Sequence, residues 1–112
     1  MKSYNKYNNR KVEYDGYKFD SKKEADFYKK LKALQKAGKI KKIEVHPKFE
    51  LQPSFKKNGK TYRAINYYGD FLVTYNDGSI RLYDTKGKRT EVYKIKKKLF
   101  EYKYKDLTIE EV

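Results

Sequence analysis

Two aspartates and a lysine in the middle of the chain, with one glutamate far upstream, are the residues whose types and spacing suit chemistry. In residues 69–87, GDFLVTYNDGSIRLYDTKG, two apolar runs flank a turn, and each carries an aspartate where a core residue is expected. Residues 67–75 alternate, with Tyr67, Phe71, Val73 and Tyr75 on one face and Tyr68, Asp70 and Leu72 on the other. Ile80, Leu82, Asp84 and Lys86 share one face of the next strand. Whether Asp70 meets Asp84 depends on the turn, because a slip of one residue moves every side chain to the opposite face. A two-residue loop at Asp77-Gly78 pairs Asn76 with Ser79, sets Asp70 opposite Thr85 and separates the aspartates. A three-residue loop, Asn76-Asp77-Gly78 with Gly78 left-handed in a bulge, pairs Tyr75 with Ser79 and puts Asp70 across from Asp84. The three-residue loop is the expected one.

In that register the aspartates lie roughly 5 Å apart at the backbone, and the Lys86 ammonium follows two residues along the same face. Two bare carboxylates at that spacing repel by roughly 3 kcal/mol at an effective dielectric of 20. A hard divalent ion between them relieves this; Mg2+ commonly takes one or two carboxylates, with water and substrate phosphate completing its shell. The structural alternative is that Asp84 and Lys86 are surface residues at a frayed strand end.

Glu24 belongs to a helix expected to open at Asp20-Ser21 and run to about Ala37, with Gly38 as a left-handed cap. Its apolar stripe is Phe27, Tyr28, Leu31 and Leu34, and at 100° per residue Glu24 falls within it. A carboxylate thus points at the core. The spacing Ser21-x-x-Glu24 is also a capping box, with Glu24 folding back on the Ser21 N–H, and the residue can serve both ends.

The rest of the chain must position these groups. Residues 12–19 read as a small hairpin around Asp15-Gly16, and residues 43–51 as a strand. His46 is the one histidine, so no zinc pair and no convincing Ser-His-Asp set exists; it reads as a strand residue before Pro47. Residues 55–62 form a two-residue hairpin at Asn58-Gly59 that carries Lys56, Lys57 and Lys60 and is followed by Arg63. Thr90 caps a second helix to about Lys103, whose apolar stripe is Val92, Ile95, Leu99 and Tyr102, with Lys94, Lys97 and Lys98 facing away. A short strand ends the chain.

At 112 residues the chain is one domain, able to fold without disulfide or zinc. It has no cysteine, no apolar run near the roughly 20 residues of a membrane span, and no signal-peptide core near Met1, which makes the cytoplasm the expected place. Residues 1–11 are basic, free of acidic side chains, and read as a mobile arm. The excess of 29 Lys and Arg over 15 Asp and Glu gives +14, interleaved with 13 tyrosines and 6 phenylalanines. Polyanions are the partner this implies: lysines release counterions from phosphates and tyrosines stack on unpaired bases. Lys88, Arg89, Lys94, Lys97 and Lys98 near the acidic group, and Lys56, Lys57 and Arg63 on the hairpin, are the candidate phosphate contacts.

The order helix, strand, strand, strand, helix, strand, with Glu24, Asp70 and Asp84-Thr85-Lys86 on it, resembles the PD-(D/E)xK nuclease superfamily. FDSKKEADFY, KFELQPSF, YGDF and YDTKGKRTEVYKIKKKLFEY are similar to a family of small phage-encoded proteins assigned to that superfamily, over nearly the full chain. Two positions depart from the signature: Gly69 stands where it has proline, and its (D/E)-x-K acid is Asp84, with a shorter side chain than glutamate.

The resemblance implies an α/β fold, a single PD-(D/E)xK-like α-β-β-β-α-β domain whose mixed sheet is flanked by helices. It implies an Mg2+- or Mn2+-dependent endonuclease hydrolysing DNA, in a phage setting branched or replicating DNA, as a Holliday junction resolvase does, in the cytoplasm of a bacterial host. Asp70, Asp84 and the Thr85 carbonyl would hold the metal, Lys86 would orient or deprotonate the attacking water, and Glu24 would hold a second metal or a metal-bound water. A junction cutter would act as a symmetric homodimer, since a two-fold junction needs two cuts. The charge itself suits RNA as well as DNA. The alternative is a non-catalytic nucleic-acid-binding module in which Asp84 and Lys86 pair and Glu24 only caps; a third class is an interaction protein whose basic surface meets an acidic partner.

Overall fold

The computed structural model describes residues 11–85 and 89–112. The expected basic arm, apart from Lys11, lies outside them, as do Lys86 and Lys88. The described elements are β1 (Val12–Tyr14), β2 (Tyr17–Phe19), α1 (Lys22–Lys36), β3 (Ile40–Val45), β4 (Lys48–Gln52), β5 (Phe55–Lys57), β6 (Lys60–Tyr62), β7 (Ile65–Tyr68), β8 (Phe71–Tyr75), β9 (Ile80–Asp84), α2 (Glu91–Lys103) and β10 (Ile109–Glu111). The protein is mixed α/β.

Local chemistry sets the ends of α1. The Ser21 hydroxyl accepts the Glu24 N–H at 3.1 Å, and Gly38 follows the helix at φ +83°. Ala25, Tyr28 and Leu31 are buried from this helix, with Phe27 and Leu34 beside them, against Phe19, Ile40, Phe71, Val73 and Tyr83. Each fully buried Leu or Phe contributes about 1.5–3 kcal/mol, so this aromatic layer fixes α1 on one face of the sheet.

The main sheet has the order β10-β9-β8-β3, with β10 parallel to β9 and the other pairs antiparallel. Tyr75 N–H donates to the Ser79 carbonyl at 2.8 Å, Gly78 sits at φ +93°, and Phe71 pairs with Tyr83. The loop is therefore the three-residue one; the ladder runs to Phe71–Tyr83, and Asp70, just beyond it, donates its N–H to the Tyr83 carbonyl at 3.1 Å.

Two expected strands are each broken in two. Residues 43–51 bend at His46-Pro47 and residues 67–75 bend at Gly69-Asp70, so that β3 pairs with β8 before the bend and β4 with β7 after it. Proline offers no N–H, and His46 takes φ +54°, which ends the alternation of a strand. The pairing nevertheless keeps one register through the corner: His46 N–H donates to the Asp70 carbonyl at 2.9 Å and Gly69 N–H to the Pro47 carbonyl at 3.0 Å.

Helix α2 has the expected bounds and Thr90 cap, but the opposite face inward. Tyr93 and Phe100 are buried against Tyr67, Leu82 and Ile109, whereas Val92, Ile95, Leu99 and Tyr102 are exposed. The inward rings lie tilted against Tyr67, and Tyr93 donates to Glu111 at 2.7 Å, an anchorage that the aliphatic stripe lacks. No described helix is long and apolar enough to cross a membrane.

Gly69 is fixed by the bend. A Cβ there would lie 2.7 Å from Leu82 Cδ1 in the core, and its N–H is spent on Pro47, so neither alanine nor proline fits. Gly69→Ala should lower stability by about 1–3 kcal/mol, as overpacking does; urea unfolding checks this, and an unchanged midpoint would show that Leu82 simply moves aside.

Candidate metal centre at the bend

Asp70 lies at the corner, bonded to strands on both sides. Its N–H donates to the Tyr83 carbonyl at 3.1 Å and its carbonyl accepts from His46. Its carboxylate oxygen Oδ2 accepts the Thr85 N–H at 2.6 Å and the Thr85 hydroxyl at 2.7 Å. The side chain is thus held in one orientation by a buried threonine just past the end of β9.

Glu24 reaches the same place from α1. It is 2% exposed; Oε1 accepts the Asp20 N–H at 2.7 Å, and Oε2 lies 2.9 Å from His46 Nε2. The capping box is thus modified: the reciprocal bond goes to Asp20 rather than Ser21. One oxygen caps the helix and the other faces the site. Burial, then the charge of Asp70, pushes the Glu24 carboxyl up to about 7, against the Asp20 N–H and His46, which favour its charged form.

His46 is the residue the sequence reading passed over. A regular strand would set it on the face of Glu44; at φ +54° its ring instead meets Glu24 and lies 6.0 Å from Phe19. Glu24, His46 and Asp70 each offer a ligand atom, all within 4.8 Å of one another. The readable signal was His46-Pro47 as a strand breaker; its partnership with Asp70 depends on a pairing across the whole 46–70 segment.

Asp84 stands apart from this group of three. It is fully buried, and Tyr67 donates to its Oδ2 at 2.6 Å. Burial and this bond to a carboxylate raise the Tyr67 phenol far above its ordinary value, so that it stays a donor. The expected Asp70–Asp84 pair lies one step beyond the paired residues: Asp70 bonds by its N–H to the Tyr83 carbonyl and by its carboxylate to Thr85, and the ligand atoms that converge with its own are those of Glu24 and His46. Thr85 holds Asp70 with its N–H and hydroxyl, and Lys86 lies outside the described residues.

The candidate phosphate contacts divide. Arg89 and Lys97 both pair with Glu111, at 2.5 and 3.3 Å, so they brace α2 against β10 instead of standing clear. Lys94 pairs loosely with Glu91 at 3.2 Å, and Lys98 is exposed. Lys56, Lys57 and Arg63 are exposed on or beside the β5–β6 hairpin. Lys88 lies outside the described residues.

Two carboxylates and an imidazole at one open corner fit a divalent cation: their ligand atoms lie within 4.8 Å of one another, and His46 keeps 38% of its side-chain surface in solvent. Residues 4–112 match the model of a family described as "Protein of unknown function (DUF1064)". No curated protein and no solved structure matches the chain.

The raised Glu24 makes stability depend on pH. Below 4.5 the carboxyl is protonated folded and unfolded; from 4.5 to about 7 the folded state holds a proton the unfolded chain has lost, so this contribution to stability falls with rising pH and is gone above 7. The change is at most roughly 3 kcal/mol. In EDTA the thermal midpoint should fall between pH 5 and 8, Glu24→Gln should flatten the fall, and Mn2+ should restore the wild type at pH 8 but not the variant. Parallel pH curves for the two proteins would remove Glu24 as the source.

Proposed function

We propose that the chain, which belongs to the DUF1064 family, is a divalent-metal-dependent endonuclease of the PD-(D/E)xK type that hydrolyses phosphodiester bonds in DNA, with branched or replicating phage DNA as its substrate class. The carrying observation is the convergence of Glu24, His46 and Asp70 on one open corner of the sheet. The order α1-β3-β8-β9-α2-β10 and the charge of +14 support the reading.

In this reading Glu24, Asp70 and His46 hold the cation. Mg2+ prefers oxygen ligands alone, so one imidazole among two carboxylates shifts the preference toward Mn2+. A cation held there polarises a phosphoryl oxygen and lowers the pKa of water. Asp84, fully buried on Tyr67, fixes the end of β9 from which Thr85 holds Asp70. Lys86, two residues beyond Asp84, keeps the water-orienting role given by the resemblance.

Incubation with supercoiled, linear and four-way-junction DNA, in Mn2+, Mg2+ or EDTA, tests this. Wild type should cut in metal and not in EDTA, faster with Mn2+. Asp70→Asn and Glu24→Gln should lower the rate at least about 100-fold while binding in EDTA persists, and His46→Ala should cost more with Mn2+ than with Mg2+. Failure of the wild-type protein to cut any of the three in either metal would leave the binding module as the function.

The active unit in this proposal is a two-fold dimer. Val92, Ile95, Leu99 and Tyr102 recur at the a and d spacing of a helix-pairing seam, are 40–76% exposed, and have Glu91 and Lys98 along one flank, where an antiparallel second copy brings opposite charges together. Repulsion between two +14 chains works against pairing, so salt or DNA should favour it. Sedimentation should show a dimer that strengthens from 50 to 500 mM salt and is abolished by Leu99→Glu; a monomer at all salts, with and without DNA, would remove the dimer.

A further inference from the structure

The β5–β6 hairpin lies away from the metal centre and belongs to neither core. All six of its strand residues are exposed, and its strands pair only with each other among the described elements. The loop is rigid by type: Asn58 at φ +53° and Gly59 at +75° are the left-handed pair of a two-residue turn. At its base the Phe55 and Tyr62 rings stack at 4.8 Å and 10°, yet they stay 42% and 40% exposed. Cross-strand aromatic pairs stabilise a hairpin. Here no described element covers the pair, while Lys57 and Lys60 share its face, Lys56 and Arg63 adjoin it in sequence, and Lys60 Nζ lies 5.2 Å over the Tyr62 ring.

We propose that Phe55 and Tyr62 form a stacking platform for unpaired nucleotides, which makes the preferred ligand a nucleic acid with splayed or single-stranded bases beside a duplex. The inference rests on the nucleic-acid reading above and gives its substrate class a structural cause. Base faces are closed off inside a continuous duplex; only unpaired or terminal bases offer a face to a ring. The surrounding lysines and arginine supply the phosphate attraction that a bare aromatic pair lacks. The hairpin also continues the ribbon that bends at His46 and Asp70: β4 and β7 lead from that corner to residues 55 and 62. Over about ten extended residues the reach is on the order of 30 Å, close to one turn of duplex.

The chain has no tryptophan, so Tyr62→Trp gives a single reporter. In EDTA, its emission should be quenched on saturation with oligo-dT and with a four-way junction, and little changed by relaxed closed circular duplex at equal phosphate concentration. Phe55→Ala with Tyr62→Ala should weaken oligo-dT binding about tenfold or more and duplex binding less than twofold, whereas Tyr62→Phe, which keeps the ring, should bind as wild type. Lys56→Ala with Lys57→Ala should weaken both ligands alike. Unchanged indole emission from the Tyr62→Trp variant at saturation, or equal losses for oligo-dT and duplex in the double alanine variant, overturns the platform. Because binding is read without metal, a protein that quenches but never cuts keeps the platform and loses the nuclease, and one that cuts without quenching does the reverse.

Discussion

Asp70 is the point on which the structure turns. Its N–H is bonded to β9, its carbonyl to His46, and its carboxylate to the N–H and hydroxyl of Thr85. A strand residue ordinarily spends only its backbone on neighbours; here the side chain is also committed, across the end of the sheet. That commitment is what lets the β3–β4 and β7–β8 ribbon bend sharply without losing register. The acid is therefore structural before it is anything else, and its carboxylate is held near Glu24 and His46 by bonds that exist without a ligand. Such a preorganised carboxylate costs little to reorganise when a cation or phosphate arrives.

The same corner separates two cores. Phe19, Tyr28, Phe71 and Val73 pack under α1, while Tyr67, Leu82, Tyr93 and Phe100 pack under α2. Glu24 enters from the first side and Asp84 from the second, where Tyr67 holds it. The polar groups are thus arranged along the boundary between the two cores. A buried carboxylate is tolerable only with donors, and each has one: Asp20 N–H for Glu24 and Tyr67 for Asp84.

Much of this was legible in the residues because it is local. The three-residue loop followed from Asn76-Asp77-Gly78, the Asp15-Gly16 and Asn58-Gly59 turns from their dipeptides, and both helix starts from Ser21 and Thr90. Glu24 was placed correctly because the helical period brought it into the apolar stripe. His46 was missed because its place at the corner comes from a left-handed φ and a partner 24 residues away, neither of which leaves a periodic mark. The inward face of α2 was misjudged for a related reason. Counting apolar residues favoured Val92, Ile95 and Leu99, but the amphipathic Tyr93 and the single Phe100 bury larger surfaces and meet rings already fixed in the core.

The charge of the chain and the acidity of the corner oppose each other, and that opposition has a thermodynamic consequence. A protein at +14 repels a free divalent cation from every direction, and only the local carboxylates attract it. Nucleic acid cancels the long-range field while leaving Glu24, His46 and Asp70 in place, so in the proposed nuclease a bound polyanion raises the affinity for metal. Linkage makes the effect mutual: bound metal reduces the repulsion between the corner's carboxylates and a phosphate, and raises affinity for the polyanion by the same factor. The excess lysine is then more than a generic attraction to phosphate. In the proposed nuclease it lowers the affinity for cation until a substrate lies across the site, which would tie hydrolytic competence to occupancy by the polyanion itself.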